Sequence, residues 1–373
     1  MRRRRRERVY SHTCNCGLGQ RRKIQNTISM SEVNVRKLRA VTLVTFVLVA
    51  LGVQAQEKAP LVFLQSIPLP ALHDGDFDHF TVDLEGHRLF LTAEKNAAVV
   101  VLDLQTNKLI HTISDIKEAH SMVYRGDLKK LFVVDGGAAD VKIYDSDSYQ
   151  RIGTIELKED ADSSTYDSST QYMYVVNGGE GAHLPYTFIS VIDTTASKKL
   201  VDIKIDADSI EAMAVEKSGP RLFANLESKS TVVVMDRKKR VVIATWPIGE
   251  VAKELVAMAF DEAGHRLFVT SKTPAKLIVM DSDTGKVVTS LPCVAMNDDM
   301  AYDPGNKRIY ISGNDFVDVF QQKDADHYEQ IGHIAGSFRA KTAILVPQLN
   351  RYYLAVPRQG GKPAEVRIYQ TVS

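Results

Sequence analysis

Three cysteines, Cys14, Cys16 and Cys293, are all that this chain of 373 residues contains, and tryptophan occurs once, at Trp246. Cys14 and Cys16 fall within the first 55 residues, so from residue 56 onward Cys293 stands alone, with no disulfide framework and no paired-cysteine metal site. Also missing are a serine nucleophile elbow, a phosphate-binding P-loop, a dinucleotide fingerprint and a Cys-x-x-Cys-His haem attachment. From residue 56 onward no segment has a sustained amphipathic helical period, which argues against a helical architecture. The one long apolar run, Val41 to Val53, is too short to span a bilayer.

That run does have a reading. Arg36, Lys37 and Arg39 precede it, and Val53-Gln54-Ala55 follows with small residues where a signal peptidase cleaves. Basic region, apolar region and cleavage site stand in secretory order. Residues 1–55 are therefore expected to be a leader, with the mature chain starting at Gln56 in the periplasm or outside the cell. An uncleaved anchor with its basic side in the cytoplasm is the alternative. Met30 would start a signal of ordinary length. With the leader removed, 35 basic and 44 acidic residues remain, a net charge of −9. Nucleic acid is disfavoured as a partner, because phosphate binding needs a concentrated cationic surface. Once the signal is cleaved no stable membrane insertion is expected, and neither is assembly beyond a monomer.

A repeat fills residues 56–373. Its most regular element is a polar or basic residue, an aliphatic or aromatic one, and then an aromatic: Arg88-Leu89-Phe90, Lys130-Leu131-Phe132, Tyr172-Met173-Tyr174, Arg221-Leu222-Phe223, Arg266-Leu267-Phe268, Arg308-Ile309-Tyr310 and Arg351-Tyr352-Tyr353. Seven copies about 42 to 49 residues apart match four-stranded propeller blades. The seventh unit ends one strand short, and Leu61 to Ile67 is a strand without a blade. Pairing the two would close a seven-bladed β-propeller and remove two exposed sheet edges. Leu267-Phe268-Val269-Thr270-Ser271, Met173-Tyr174-Val175-Val176-Asn177 and Ile189-Ser190-Val191-Ile192-Asp193-Thr194 resemble the signatures of YVTN-repeat β-propeller proteins. That resemblance implies an exported bacterial propeller and no particular activity. The motif is loose at Ala224-Asn225-Leu226 and Ala355-Val356-Pro357.

Equivalent positions where the innermost strands begin should ring a shared cavity. Twelve residues before each motif aromatic stand Asp78, His120, Asp162, Glu211, Val256, Asp298 and Lys341. One residue later come His79, Ser121, Ser163, Ala212, Ala257, Asp299 and Thr342. Phe80 and four methionines follow (Met122, Met213, Met258, Met300), so a charged mouth should stand above a largely apolar neck. Clustered carboxylates with histidine suit a divalent cation such as calcium, a small polar ligand or a protein segment. A binding module whose mouth holds one of these is the leading expectation, with Asp162, Glu211 and Asp299 as the ligands where a metal binds. Of the neighbours Asp298 and Asp299, alternation along a strand allows one to face the cavity unless a bulge intervenes.

Two other functions compete with it. In a metal-dependent hydrolase resembling propeller lactonases, His79 or His120 would be the general base and Lys341 an oxyanion partner. In an interaction scaffold, a protein partner would meet the loop face near Asn96, Asn177, Asn225 and Asn314. Asp74, Asp76, Asp78 and Glu85 mimic a calcium loop, but His79 stands where its sharp turn needs glycine. The glycine-rich stretch from Asn177 to Tyr186 is expected to be a mobile contact loop or a tolerated insertion on the same face.

Overall fold

The computed structural model describes residues 59–373; the leader, Met30 and the cleavage point before Gln56 lie outside the described residues. Seven antiparallel four-stranded sheets form the blades of a seven-bladed β-propeller. Within blades 1 to 6 the strands follow chain order outward, as in blade 1 with Phe80–Asp83, Arg88–Ala93, Ala98–Asp103 and Lys108–Ile113. The innermost strands of successive blades touch around the ring, the seventh against the first. Blade 7 is composite: Ala343–Val346, Arg351–Val356 and Ala364–Thr371 receive Leu61–Leu69 as their outer strand. That pairing runs from Leu61 opposite Thr371 to Leu69 opposite Ala364. Among the described residues no helix is long and apolar enough to cross a membrane.

The repeat motif is explained by what lies between blades. Successive residues of a strand face opposite sides of the sheet, so a second strand packs against the blade before it and the blade after it. Leu89 and Leu91 join Val366 and Ile368 in the core between blades 7 and 1. Phe90 joins Leu131 and Val133 between blades 1 and 2. Leu222 and Phe223 divide in the same way between the cores on either side of blade 4. Each such buried side chain contributes roughly 1.5–3 kcal/mol.

The motif arginines tie blades together at the face opposite the mouth. Arg88 pairs with Asp83 of its own blade at 2.7 Å and donates to the Ser146 carbonyl of the next. Arg221 pairs with Glu216 and reaches the Ser282 carbonyl at 2.6 Å, while Arg266 reaches the Ala325 carbonyl at 2.9 Å. Trp246 packs between blades, as its position suggests. A Cβ on Gly285, which has φ of 75°, would stand 2.2 Å from the indole, so the turn needs glycine for both reasons.

Closure by the first strand makes its inward residues part of the core. Ile67 is 1% exposed and Val62 45%. Ile67→Ala is expected to cost about 2–5 kcal/mol in urea unfolding, and Val62→Thr less than about 0.5 kcal/mol.

Candidate functional site

A bulge recurs at the start of the innermost strand in all seven blades. In blade 1 the Asp78 amide donates to the Thr92 carbonyl and the Thr92 amide to the His79 carbonyl, so two residues oppose one. The same pattern sets Asp162 and Ser163 against Val176, and Asp298 and Asp299 against Ser312. Register shifts put His120 and Ser121 opposite Val134, Glu211 and Ala212 opposite Asn225, and Val256 and Ala257 opposite Thr270. In blade 7 the Ala355 amide donates to Thr342 in the equivalent place. Bulges re-aim side chains. Asp298 and Asp299 consequently both reach the cavity, where strict alternation would have turned one away.

The facing residues also bind the bulges. Asn225 accepts the amides of Glu211 and Ala212 at 3.1 and 2.8 Å, and Thr270 accepts that of Ala257 at 2.9 Å. Neighbouring blades are joined at this level by the Ser121 hydroxyl on the Asp162 carbonyl at 2.5 Å and the Thr342 hydroxyl on the Phe77 carbonyl at 2.8 Å. Asn225, where the motif looked loose, is thus a bulge-holding residue.

Asp78, His79, His120, Asp162, Glu211, Asp298, Asp299 and Lys341 all line one central cavity of about 360 Å³, with Phe80 and four methionines below them. Around most of the ring the charges alternate. Lys341 pairs with Asp298 at 2.9 Å. His120 Nδ1 stands 2.8 Å from Asp78 and 3.2 Å from Asp162. His79 lies 3.6 Å from Asp78 and 3.3 Å from Asp299. Asp299 uses its other oxygen to accept the Ala343 amide at 2.8 Å.

The alternation stops at blades 3 to 5, where Asp162, Glu211 and Val256 follow one another. There Glu211 faces a second carboxylate, Glu227, and the Ser209 hydroxyl lies 3.1 Å from each. Lys272 pairs with Glu227 at 2.7 Å. A second cavity of about 290 Å³ shares Asp162 and Glu211 with the first, and Asp160, Glu180, Asp208 and Glu227 join them in its wall. The glycine-rich stretch of blade 3 forms part of that wall. It is pinned rather than loose, with the Gly181 amide on Asp160 at 3.0 Å and the Glu180 amide on the Asp208 carbonyl at 2.9 Å.

These surroundings set the protonation states. Burial opposes charge on His79, but Asp78 and Asp299 outweigh it and raise the imidazole to about 10. His120 is raised against burial to about 11 by Asp162 and Asp78. Burial would raise Asp78, yet the two histidines hold it at about 2. Burial pushes Asp298 up to about 6, with Lys341 pulling the other way. Glu211 rises to about 8 through burial and then Glu227. Burial also acts to raise Glu227, but Lys272 keeps it below the usual range.

The grouping of ligand candidates expected from the sequence changes here. Asp162, Glu211 and Asp299 do not converge as a ligand set. Among the described residues, Asp162 groups instead with Asp78 and His120, and a second group comprises Glu94, Glu118 and His120. In the metal-free protein the flanking carboxylates hold both imidazoles protonated, and Lys341 pairs with Asp298 at 2.9 Å. All four loop asparagines hold backbone: like Asn225, Asn96 accepts the His73 amide, Asn177 that of Lys158 and Asn314 that of Arg339. Asp74 and Asp76 pair with Arg339 and leave the mouth to Asp78. The residues overlooked were Glu94, Glu227 and Lys272. Each lies four residues beyond a motif aromatic, an offset readable by the same alignment of repeats.

The two histidines carry a pH signature. Their folded pKa values lie above the unfolded value near 6.5, so their contribution is full below that pH and is lost as pH rises toward about 10 and 11. Unfolding measured from pH 6 to 10.5 should show declining stability, with a shallower decline in His120→Gln. Imidazole NMR signals should still report both rings protonated at pH 8.

No family model matches the sequence, and no curated protein does so significantly. Solved structures do resemble it. The chain is similar to Kuenenia stuttgartiensis hydrazine synthase, with a TM-score of 0.69 and 17% identity over 81% of this chain and 97% of that one. It is also similar to a chain of a mitotic checkpoint complex, with a TM-score of 0.68 and 11% identity over 94% of this chain and 100% of that one. At such identities the likeness establishes the seven-bladed propeller alone.

Proposed function

We propose that this chain is an exported binding module whose channel mouth takes up a cationic ligand, with a divalent metal ion held by Asp78, His120 and Asp162 as the specific form. The observation that carries this reading is that three blades each bring one ligand atom into a group within 4.8 Å at the mouth. Beyond Asp162 the compensation of charge around the ring ends. Burial, and then the neighbouring Glu227, let Glu211 retain its proton to about 8 there. Ser164 lines the same cavity with a buried hydroxyl that has no hydrogen-bond partner, a further polar contact for a ligand. An imidazole beside two carboxylates favours a first-row transition ion over calcium, which prefers oxygen alone. Export rests on the order of charged, apolar and cleavage-site residues before Gln56.

The protonated imidazole and a metal ion compete for one place. His120 must lose its proton to bind metal. Titration with zinc or manganese at pH 7, in buffers of different ionisation enthalpy, is expected to show one ion bound with release of about one proton. Asp162→Asn should weaken binding about ten-fold or more. If neither ion binds nor raises the unfolding temperature, the ring is a self-compensated, solvated mouth and the metal reading fails.

A further inference from the structure

The face opposite the mouth holds an exception to the repeat. Six blades begin the second strand with arginine or lysine; blade 3 has Tyr172. The carboxylate that such an arginine would meet, Asp167, is instead paired with Arg237, which reaches back from blade 4. Arg237 is buried, and its guanidinium also donates to the carbonyls of Glu216, Gly219 and Pro220. A cavity of about 490 Å³ lies between the two blades here, walled by Tyr172, Tyr174 and Val191 on one side.

The other side is basic. Lys217, Lys238 and Arg240 line the cavity, are exposed, and make no ion pair among the described residues; Glu262 is the carboxylate that feels the Lys217 charge. Lys238 and Arg240 belong to the turn Arg237-Lys238-Lys239-Arg240. The equivalent turns of blades 1, 2, 3 and 5 contain no basic residue: Leu104-Gln105-Thr106-Asn107, Ser146-Asp147-Ser148-Tyr149, Thr194-Thr195-Ala196-Ser197 and Ser282-Asp283-Thr284-Gly285. A chain with net charge −9 from residue 56 onward thus gathers cations beside the one blade that lacks a motif cation. The cavity has an aromatic wall, and the basic turn gives it a sign.

We propose that this cavity binds a small anionic ligand in which a phosphate or sulfate group is attached to a ring. Lys217, Lys238 and Arg240 hold the oxyanion by charge-assisted hydrogen bonds. The ring lies against Tyr172, so both halves of the ligand contribute.

Phenyl phosphate is the probe, titrated calorimetrically into the protein from Gln56, with inorganic phosphate and phenol titrated separately. The expected result is one saturable site for phenyl phosphate, tighter than for either fragment and weakened by salt. The double variant Lys238→Glu/Arg240→Glu changes exposed turn residues and should weaken binding about ten-fold or more at an unchanged unfolding temperature. Tyr172→Ala, which removes the ring contact and leaves the cations in place, should bring phenyl phosphate down to the affinity of inorganic phosphate. No saturable binding, or equal affinity in the double variant, overturns the proposal. Retention on phosphatidylglycerol but not phosphatidylcholine vesicles, without affinity for phenyl phosphate, also overturns it and assigns the cations to a lipid headgroup surface. Neither result touches the mouth on the opposite face.

Discussion

Everything at the mouth depends on one antiparallel pairing, that of Leu61–Leu69 with Ala364–Thr371. A ring of blades positions its central residues only if it cannot open. Without this strand blade 7 would expose the outer edge of Ala364–Thr371, and Ile67 and Leu69 would leave the core shared with blade 1. That core borders the charged contacts which span the closure, Lys341 of blade 7 being placed against Asp298 of blade 6 and near Asp78 of blade 1. Joining the first strand to the last sheet therefore fixes the geometry of ionisable groups some 260 residues apart in sequence.

Given a closed ring, the bulges decide what the mouth contains. A regular strand would send one of each residue pair away from the cavity. Spending two residues against one lets blades 1 and 6 present ionisable groups at both positions, Asp78 with His79 and Asp298 with Asp299. In the other blades the second position is serine, alanine or threonine, and Ser121 and Thr342 use their hydroxyls to bind the next blade. The same backbone irregularity thus serves a ligand-facing role in some blades and a structural role in others. Residue type decides which.

The architecture was legible because each interface between blades makes the same demand. A second strand must supply a side chain to each neighbour, so Leu89 and Phe90 recur as Leu131 and Phe132, Leu267 and Phe268, and so on around the ring. The ring of ionisable residues was legible for a related reason: a constant offset from a buried aromatic is a constant height in the channel. What was not legible was who meets whom. Pairing His79 with Asp299 crosses an intervening blade, and no local pattern announces it. Nor do the bulges have a residue signature, since Asp78-His79, Val256-Ala257 and Lys341-Thr342 share no chemistry. Alternation alone therefore left Asp298 and Asp299 open to a bulge that their sequence does not announce, and the ligand trio of Asp162, Glu211 and Asp299 ignored that its members stand in different parts of the circle.

The two ends of the channel can carry opposite character without cancelling. An innermost strand with its bulge, about six residues at about 3.3 Å each, separates the mouth from the far turns by roughly 20 Å. Charges exposed to solvent are screened over about 8–10 Å at ordinary ionic strength. The acidic side of the mouth, centred on Asp162 and Glu211, and the basic turn at Lys238 and Arg240 consequently act on ligands independently, although blades 3 and 4 contribute to both. What unites them is the chain's way of making exceptions. At the mouth the alternation of charge fails beyond Asp162, and at the far face the series of motif cations fails at Tyr172. A repeat fold averages its surface over seven copies, so chemistry arises where one copy departs from the rest, and in this chain both departures include blades 3 and 4.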